Sequence, residues 1–166
     1  LLRRAALPGV LAVGVFVDAP REEIERAVAE CALDAVQLHG QESPEDCLGY
    51  PIPVFKAASP TNQGDLSSLK RYRVEWFLFE PARTLEDRQR GVAPSAASQK
   101  SCWFLAGLSA EVAQTPVILA GGLNAGNVRD AAAAARPYAV DVSGGVESAP
   151  GIKEPKKLDA FFKALA

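Results

Sequence analysis

Residues 116–145 read PVILAGGLNAGNVRDAAAAARPYAVDVSGG and carry the clearest fold signal in the chain. Two short apolar runs, 116–120 and 138–142, flank an alanine-rich segment at 125–135. Alanine favours helices, and a continuous apolar run is typical of a strand covered on both faces. This stretch therefore predicts a strand, a helix and a second strand of one parallel sheet.

The same alternation extends back toward the start of the chain. Helical patterns are predicted from Pro20 onward, after Ser43 as N-cap, over 65–72, around 102–108 and over 158–165. Residues 83–109 have no clear period, so we expect a long loop before the helix around 102–108. No hairpin signal is evident, so every connection is expected to be a right-handed crossover. The four further predicted strands are 10–17, 35–39, 53–57 and 76–80.

These elements predict an α/β protein with about six strand–helix units. An eight-stranded (β/α)8 barrel needs about 250 residues in typical cases, so 166 residues predict a partial barrel in a single domain spanning 1–166. The chain contains no methionine. We therefore expect that it is incomplete at its N-terminus.

Composition excludes several classes of function. The formal net charge of -2 does not support the broad basic surface that nucleic-acid binding requires. The apolar run near the start is too short to span a membrane. Three widely spaced cysteines signal neither a disulfide framework nor a metal site, and we expect them to be structural residues of a cytoplasmic protein that needs no cofactor.

Two glycine-rich turns are the strongest candidates for a binding site. Each follows a predicted strand, where glycine lets the backbone approach a ligand and a helix N-terminus favours an anion. Paired turns on the last two units match the recurrent phosphate site of eight-stranded barrels, although a pair of glycines also suits a tight turn with no ligand. The candidate phosphate-binding residues are Gly121, Gly122, Asn124, Ser143, Gly144 and Gly145.

Three ionisable residues lie in or at the ends of predicted strands. Asp141 interrupts an apolar run, which predicts a buried carboxylate that either accepts loop N–H groups or contacts substrate. Glu80 ends its strand where catalytic groups lie in such barrels, the alternative being a solvated side chain. His39 also ends a strand, where it is either a hydrogen-bonded rim residue or a catalyst.

The chain resembles the phosphoribosylanthranilate isomerases, (β/α)8 enzymes of tryptophan biosynthesis. The likeness covers nearly the whole chain in order, and the last two motifs are highly specific. The resembling motifs are GVFVD (14–18), VQLHG (36–40), VFKA (54–57), LAGGLNAGNV (119–128) and RPYAVDVSGGVESAPGIK (136–153). The resemblance implies an Amadori rearrangement of a phosphoribosyl aminoaldose, with phosphate at the two turns and Asp141 at the anthranilate end.

The chain also departs from the family pattern. Glu80 takes the place of the general-acid Asp, and one extra methylene displaces a carboxyl by about 1.5 Å, a misplacement that can cost about a hundredfold in rate. The K-I-C-G motif with the general-base Cys, the strand with a substrate-binding Arg, and the G-G-T-G motif have no counterpart. We therefore expect impaired or absent turnover.

Two functions remain open at this point. The first is the isomerase itself, and the second is a non-catalytic partial barrel that binds phosphate or a partner chain. Another phosphosugar barrel, such as an epimerase, fits the residues after Tyr138 less well. In either case we expect a phosphorylated ligand and exposed edge strands starting near Val10 and Tyr138, which favour a homodimer or another edge-strand association.

Overall fold

The computed structural model describes residues 9–84, 86, 87, 90–112 and 114–166. Within these residues, six parallel strands form one sheet whose strand order follows the chain. Each strand pairs with the next, as where Val36 lies opposite Val54. The strands are β1 (Val13–Phe16), β2 (Ala35–Leu38), β3 (Val54–Ala58), β4 (Trp76–Phe79), β5 (Val117–Leu119) and β6 (Ala139–Val140).

Helices connect the strands and cover one face of the sheet. Asn62 caps the second helix by accepting a 3.1 Å hydrogen bond from the Asp65 N–H. The first and fourth helices end at Ala32 and Arg136, both in the left-handed conformation. The helices are α1 (Arg21–Cys31), α2 (Gln63–Leu69), α3 (Ala96–Val112), α4 (Val128–Ala135) and α5 (Pro155–Leu165).

The main core lies between the sheet and the helices. Successive side chains of a strand point to opposite faces, so Phe77 and Phe79 of β4 both pack against the helices. Each is at most 1% exposed, and burying a side chain of this size contributes about 1.5–3 kcal/mol. Leu78, between them, faces the other side of the sheet and packs with Ala57 and Ala120. That second, concave face leads toward the functional residues.

A buried ion pair joins strand β3 to the loops after β1 and β2. Lys56 Nζ lies 3.0 Å from Glu42 Oε2, and both side chains are at most 7% exposed. Lys56 also donates to the Gly40 carbonyl, and the Glu42 carboxylate accepts from the Asp18 N–H. Burial raises the pKa of Glu42, but the backbone N–H donors and Lys56 outweigh it, so the net pKa is lowered. This network holds the loops after β1 and β2 against β3 at the carboxyl edge of the sheet.

The helix predicted after Ser43 is wrong. Residues 44–47 form a single turn. The capping contacts do form, because Asp46 Oδ2 accepts the Ser43 N–H at 2.9 Å and Ser43 Oγ accepts the Asp46 N–H at 3.3 Å. Gly49 then adopts a φ of +77°, and Pro51 and Pro53 follow, so the helix cannot continue.

The long loop predicted within 83–109, before a helix around 102–108, is also wrong in extent. Helix α3 already begins at Ala96, where Ser95 Oγ accepts the Ser98 N–H at 3.1 Å, and it runs for 17 residues. The helical period is blurred because apolar residues occupy more than one face. Cys102 and Trp103 are buried in the core, whereas Phe104 is 62% exposed.

A hairpin that the sequence reading missed follows β6. Strands β7 (Glu147–Ala149) and β8 (Ile152–Lys153) pair antiparallel around Gly151, which has a φ of +79°. The strands have only three and two residues, too few to show alternation. The Pro150–Gly151 dipeptide was the available turn signal.

The two predicted edge strands are confirmed within the described residues. Strands β1 and β6 are the outermost strands of the sheet. Apolar side chains near them are exposed, including Val15 at 59%, Val17 at 63% and Tyr138 at 68%. Edge strands of this kind offer backbone groups for pairing with another chain.

Replacing Lys56 by Met tests the buried network. We expect Lys56→Met to lower the free energy of unfolding by about 3 kcal/mol, because Glu42 keeps a buried charge without its cation. Since the folded pKa of Glu42 lies below the ordinary 4.5, its contribution is full above pH 4.5 and is lost as pH falls through the lower value. The difference from wild type should therefore narrow below pH 4.5 in urea titrations.

Lys100→Met is the matched control, because Lys100 is exposed on α3. A surface change of this kind should stay within about 0.5 kcal/mol of wild type. Equal effects of the two substitutions would contradict a stabilising role for the Lys56–Glu42 pair.

Candidate active site

A cleft of about 820 Å³ opens at the carboxyl edge of the sheet. Parallel strands end at the same edge, so residues distant in sequence meet there. All of the residues singled out from the sequence line this one cleft: His39, Glu80, Gly121, Gly122, Asn124, Asp141, Ser143, Gly144 and Gly145.

The first glycine turn has a backbone that only glycine adopts readily. Gly121 and Gly122 have φ angles of +89° and +73°. A side chain on Gly121 would overlap the Pro81 ring, and one on Gly122 would overlap the Gln99 amide. Gln99 Nε2 donates to the Gly121 and Gly122 carbonyls at 3.3 and 3.2 Å. The turn is thereby held open toward the cleft.

Asn124 shapes the end of this turn. Its N–H donates to Asn127 Oδ1 at 2.8 Å, and its own Oδ1 accepts the Gly126 N–H at 2.8 Å. Helix α4 begins only at Val128, so it does not follow the glycines directly as the sequence suggested. The Asn124 N–H therefore has a partner within the turn.

The second glycine turn packs against the first. Residues 144–146 form a short 3-10 helix after Ser143. A Cβ on Gly145 would overlap the Leu123 carbonyl oxygen and lie 3.1 Å from the Asn124 Cβ, whereas a Cβ on Gly144 would meet open space. Gly145 is thus required for the close approach of the two turns.

The β7–β8 hairpin places a cation beside the second turn. Lys153 Nζ donates to the Ser143 carbonyl at 3.0 Å and to Glu147 Oε1 at 2.8 Å. Residues 148–150 of the hairpin also line the cleft. The side chain of Lys153 is 44% exposed, so its charge is accessible from solvent.

Glu80 is buried in the wall of the cleft. It follows β4 directly and is 6% exposed, so the solvated alternative is wrong. Its Oε1 lies 3.0 Å from His39 Nε2, and its Oε2 lies 3.5 Å from Arg83 Nη2. A second cavity of about 290 Å³ is lined by the same Glu80 and His39, so this pair stands between two cavities.

His39 is hydrogen-bonded on both ring nitrogens. Its Nε2 contacts Glu80, and its Nδ1 lies 2.7 Å from Gln37 Nε2. Gln37 lies on β2 and His39 directly follows the strand two residues later, so both point to the concave face. His39 is therefore a hydrogen-bonded residue of the cleft wall.

Asp141 lies directly after β6, at the carboxyl end of the strand rather than inside it. The prediction of a buried residue is wrong, because Asp141 as a whole is exposed although protein atoms crowd its carboxyl group. This crowding raises the pKa of the carboxyl; nearby His39 and Lys153 oppose the shift, and Glu80 adds to it. The Asp141 carboxyl therefore lies close enough to His39, Glu80 and Lys153 to interact with their charges.

The cysteines lie away from the cleft and differ in burial. Cys47 and Cys102 are buried, and burial raises the pKa of their thiols to about 11 and about 12. Such thiols stay protonated at neutral pH and are poor bases. Cys31 is exposed on α1, which differs from the buried position expected.

Four residues of the site were missed by sequence reasoning: Gln37, Arg83, Gln99 and Lys153. Gln37 had a signal, since a polar residue interrupts the apolar run of β2. Arg83 and Gln99 lie in the region without a period, and Lys153 lies in the missed hairpin. In the folded chain Arg83 lines the cleft, and the other three contact residues that line it.

Two searches were negative within the described ranges. No group of three or more His, Cys, Asp and Glu residues among them could hold a metal ion. No helix in the described part of the chain has the length and apolar character needed to cross a membrane.

Comparisons with known proteins agree on one family. The family model described as N-(5'phosphoribosyl)anthranilate (PRA) isomerase matches residues 2–164. The N-(5'-phosphoribosyl)anthranilate isomerase of Syntrophus aciditrophicus (strain SB) is 42% identical over 166 residues, covering 99% of this chain and 68% of the relative.

Solved structures agree with the sequence comparisons. The phosphoribosyl anthranilate isomerase of Thermotoga maritima superimposes with a TM-score of 0.80 at 32% identity, covering 97% of this chain and 75% of that one. A further solved structure shows monomers generated from the Thermotoga maritima enzyme, which is described there as dimeric. A phosphoribosyl anthranilate isomerase has also been solved in complex with reduced 1-(o-carboxyphenylamino)-1-deoxyribulose 5-phosphate. It superimposes with a TM-score of 0.76 at 34% identity, covering 96% of this chain and 73% of that one.

The parallel sheet, with its site at the carboxyl edge, defines an α/β enzyme of the TIM-barrel type, which confirms the predicted fold class. This chain belongs to the PRA isomerase family, the isomerases of tryptophan biosynthesis. The comparisons lend no support to the expected impairment or to a non-catalytic role, and they favour this family over an epimerase.

Substituting the two adjacent glycines tests how the turns pack. We expect Gly145→Ala to lower the free energy of unfolding by about 2 kcal/mol, because its methyl group collides with the Leu123 carbonyl. Gly144→Ala is the matched control and should stay within about 0.5–1 kcal/mol of wild type, since its methyl meets open space. Urea denaturation measures both, and equal losses would contradict the observed contact.

Proposed function

We propose that this chain catalyses the Amadori rearrangement of N-(5'-phosphoribosyl)anthranilate to its aminoketose. The observation that carries the proposal is the position of Glu80, a buried carboxyl in the wall of the cleft that also contains both glycine turns. One small molecule in this cleft can therefore contact both the Glu80 carboxyl and the glycine turns that are proposed to bind phosphate. The reaction moves hydrogen within the substrate, so we propose no cofactor.

The substrate phosphate is proposed to bind at Gly121, Gly122, Asn124, Ser143, Gly144 and Gly145. Support comes from the close packing of the two turns through Gly145, which gathers backbone from two strand ends. Lys153 adds a positive charge beside Ser143, where a dianion gains most from it. If the two glycine pairs only permit tight turns and bind no ligand, the protein should have no affinity for phosphate.

Glu80 is proposed as the general acid. Its carboxyl donates a proton to the ring oxygen as the C1–O bond breaks, and the anthranilate nitrogen lone pair forms the C1=N bond. Loss of the C2 proton then gives the enaminol, and protonation of C1 with loss of the C2 hydroxyl proton forms the C2=O bond of the aminoketose. The general-base Cys implied by the family resemblance has no counterpart in residues 1–166, so we assign no residue of this chain to C2.

Asp141 and His39 are proposed to contact the substrate. Asp141 lies on the open side of the cleft, and its interaction with both His39 and Glu80 places it near the proposed acid. A carboxyl in this position can accept the N–H of the anthranilate nitrogen. His39 supports Glu80 through the 3.0 Å contact and faces the same cavity.

Glu80→Gln tests the acid directly. We expect kcat for conversion of N-(5'-phosphoribosyl)anthranilate to fall by about 10²–10⁴, because a general acid contributes on this scale, while binding of orthophosphate is retained. Product formation followed by chromatography measures the rate. Glu75→Gln is the matched control, since exposed Glu75 lies just before the same strand β4 at its amino end. Unchanged kcat in Glu80→Gln would exclude Glu80 as the acid.

We also propose that this chain associates with a second copy through its edge strands. The exposed apolar side chains of Val15, Val17 and Tyr138 beside β1 and β6 support this proposal. Paired edges would satisfy backbone groups that otherwise face solvent.

A charge on the edge should weaken this association. We expect Val15→Lys to shift the protein to a smaller species in analytical ultracentrifugation, because a lysine opposes edge pairing. Phe104→Lys is the control, since Phe104 is 62% exposed on α3, which connects the inner strands β4 and β5. A monomeric wild type would contradict the proposal outright.

Two further expectations stay proposals. We propose a cytoplasmic location, which the free thiols of Cys31, Cys47 and Cys102 support, because a reducing compartment keeps thiols free. We also propose that residues 1–166 form a single domain, which the continuous six-stranded sheet supports.

A further inference from the structure

We propose that Gln37 is a positioning residue that fixes the Nε2–H tautomer of His39 and thereby directs this N–H at Glu80. The inference rests on the function proposed above, because it gives Gln37 a part in the work of the acid. It is carried by two contacts, 2.7 Å from Gln37 Nε2 to His39 Nδ1 and 3.0 Å from His39 Nε2 to Glu80 Oε1.

The tautomer follows from hydrogen-bond chemistry. A neutral imidazole carries one N–H, and its other nitrogen is an acceptor. The Gln37 amide nitrogen is a donor only, so the nitrogen it contacts, His39 Nδ1, must accept. The ring proton therefore lies on Nε2, where it is donated to the Glu80 carboxylate.

Gln37 acts through His39 rather than on the substrate. His39 and Glu80 line both the 820 Å³ and the 290 Å³ cavities, whereas the described residues lining these cavities do not include Gln37. Its neighbours Val36 and Leu38 are fully buried against α1 and β3. The backbone of β2 at Gln37 is thus held by packing, and the 2.7 Å contact joins the side-chain amide to His39 Nδ1.

The hydrogen bond from the His39 Nε2–H suits the proposed role of Glu80, because a general acid becomes a carboxylate once it has given up its proton. After Glu80 gives its proton away, its carboxylate carries negative charge, and the hydrogen bond that Oε1 accepts from the Nε2–H becomes charge-assisted and stronger. With the opposite tautomer, a ring lone pair would face that charge and repel it. Gln37 thereby favours the state of Glu80 that follows proton transfer.

The chain contains a single histidine, so the tautomer can be read directly. We expect ¹⁵N–¹H correlation spectra of the histidine ring to show the Nε2–H form in the wild-type protein at neutral pH. An Nδ1–H ring in the wild type would overturn the inference, and this measurement requires neither a variant nor substrate.

Variants of Gln37 test whether it sets the tautomer. Gln37→Glu offers only acceptor atoms to Nδ1, so the ring should carry a proton on Nδ1. Gln37→Leu removes the contact, so the ring signals should show both tautomers in exchange and kcat should fall about tenfold with KM nearly unchanged, the scale of one lost hydrogen bond. Gln63→Leu, exposed at the start of α2, is the control with no expected change.

The outcomes separate the two proposals. A ring that keeps a pure Nε2–H form in both Gln37 variants overturns the role of Gln37, whatever the activity. If Gln37→Glu does not fold, the wild-type spectrum and the spectrum of Gln37→Leu still show whether Gln37 sets the His39 tautomer. Should the tautomer respond to Gln37 while the wild-type protein leaves N-(5'-phosphoribosyl)anthranilate unchanged, the positioning contact stands and the proposed function fails.

Discussion

The alternation of side chains across the parallel sheet is the constraint on which the site depends. In β4, Phe77 and Phe79 face the helices and are almost completely buried, so the strand cannot shift by one residue without exposing them. Leu78 and Glu80 are thereby held on the concave face. The same rule in β2 sends Val36 and Leu38 to the core and Gln37 and His39 toward the cleft. The core therefore sets the positions of the polar groups.

Charge at this edge of the sheet is arranged in two separate networks. The Lys56–Glu42 pair is buried, joined to backbone groups and concerned with holding loops together. The second network contains Gln37, His39 and Glu80 and faces two cavities. Glu42 and Lys56 line the 290 Å³ cavity but not the 820 Å³ cleft that contains the glycine turns, whereas His39 and Glu80 line both. Since Glu42, Lys56 and Glu80 are all at most 8% exposed, position relative to the cleft rather than burial separates structural from functional charge.

Sequence reasoning placed six strands and the carboxyl-edge residues, because continuous apolar runs and glycine pairs are local signals. It failed where local signals conflict and where packing or strand pairing defines the element. The turn at 44–47 satisfies every capping rule for a helix, and the prolines that follow it stop the helix. Helix α3 buries apolar residues on one side and exposes Phe104, which hides its period. The short strands β7 and β8 are stabilised by pairing that neither strand shows alone.

From the order of its residues alone, this protein was determined to be an α/β chain of consecutive strand–helix units with a cluster of polar and glycine residues at strand ends. Periodicity and backbone preference are properties of short segments, so they can be read without a structure. The contact of Gly145 with the Leu123 carbonyl, the burial of Glu80 and its hydrogen bond to His39 were decided only by the tertiary structure. Each joins groups more than 20 residues apart, and such distances depend on how the whole sheet is packed.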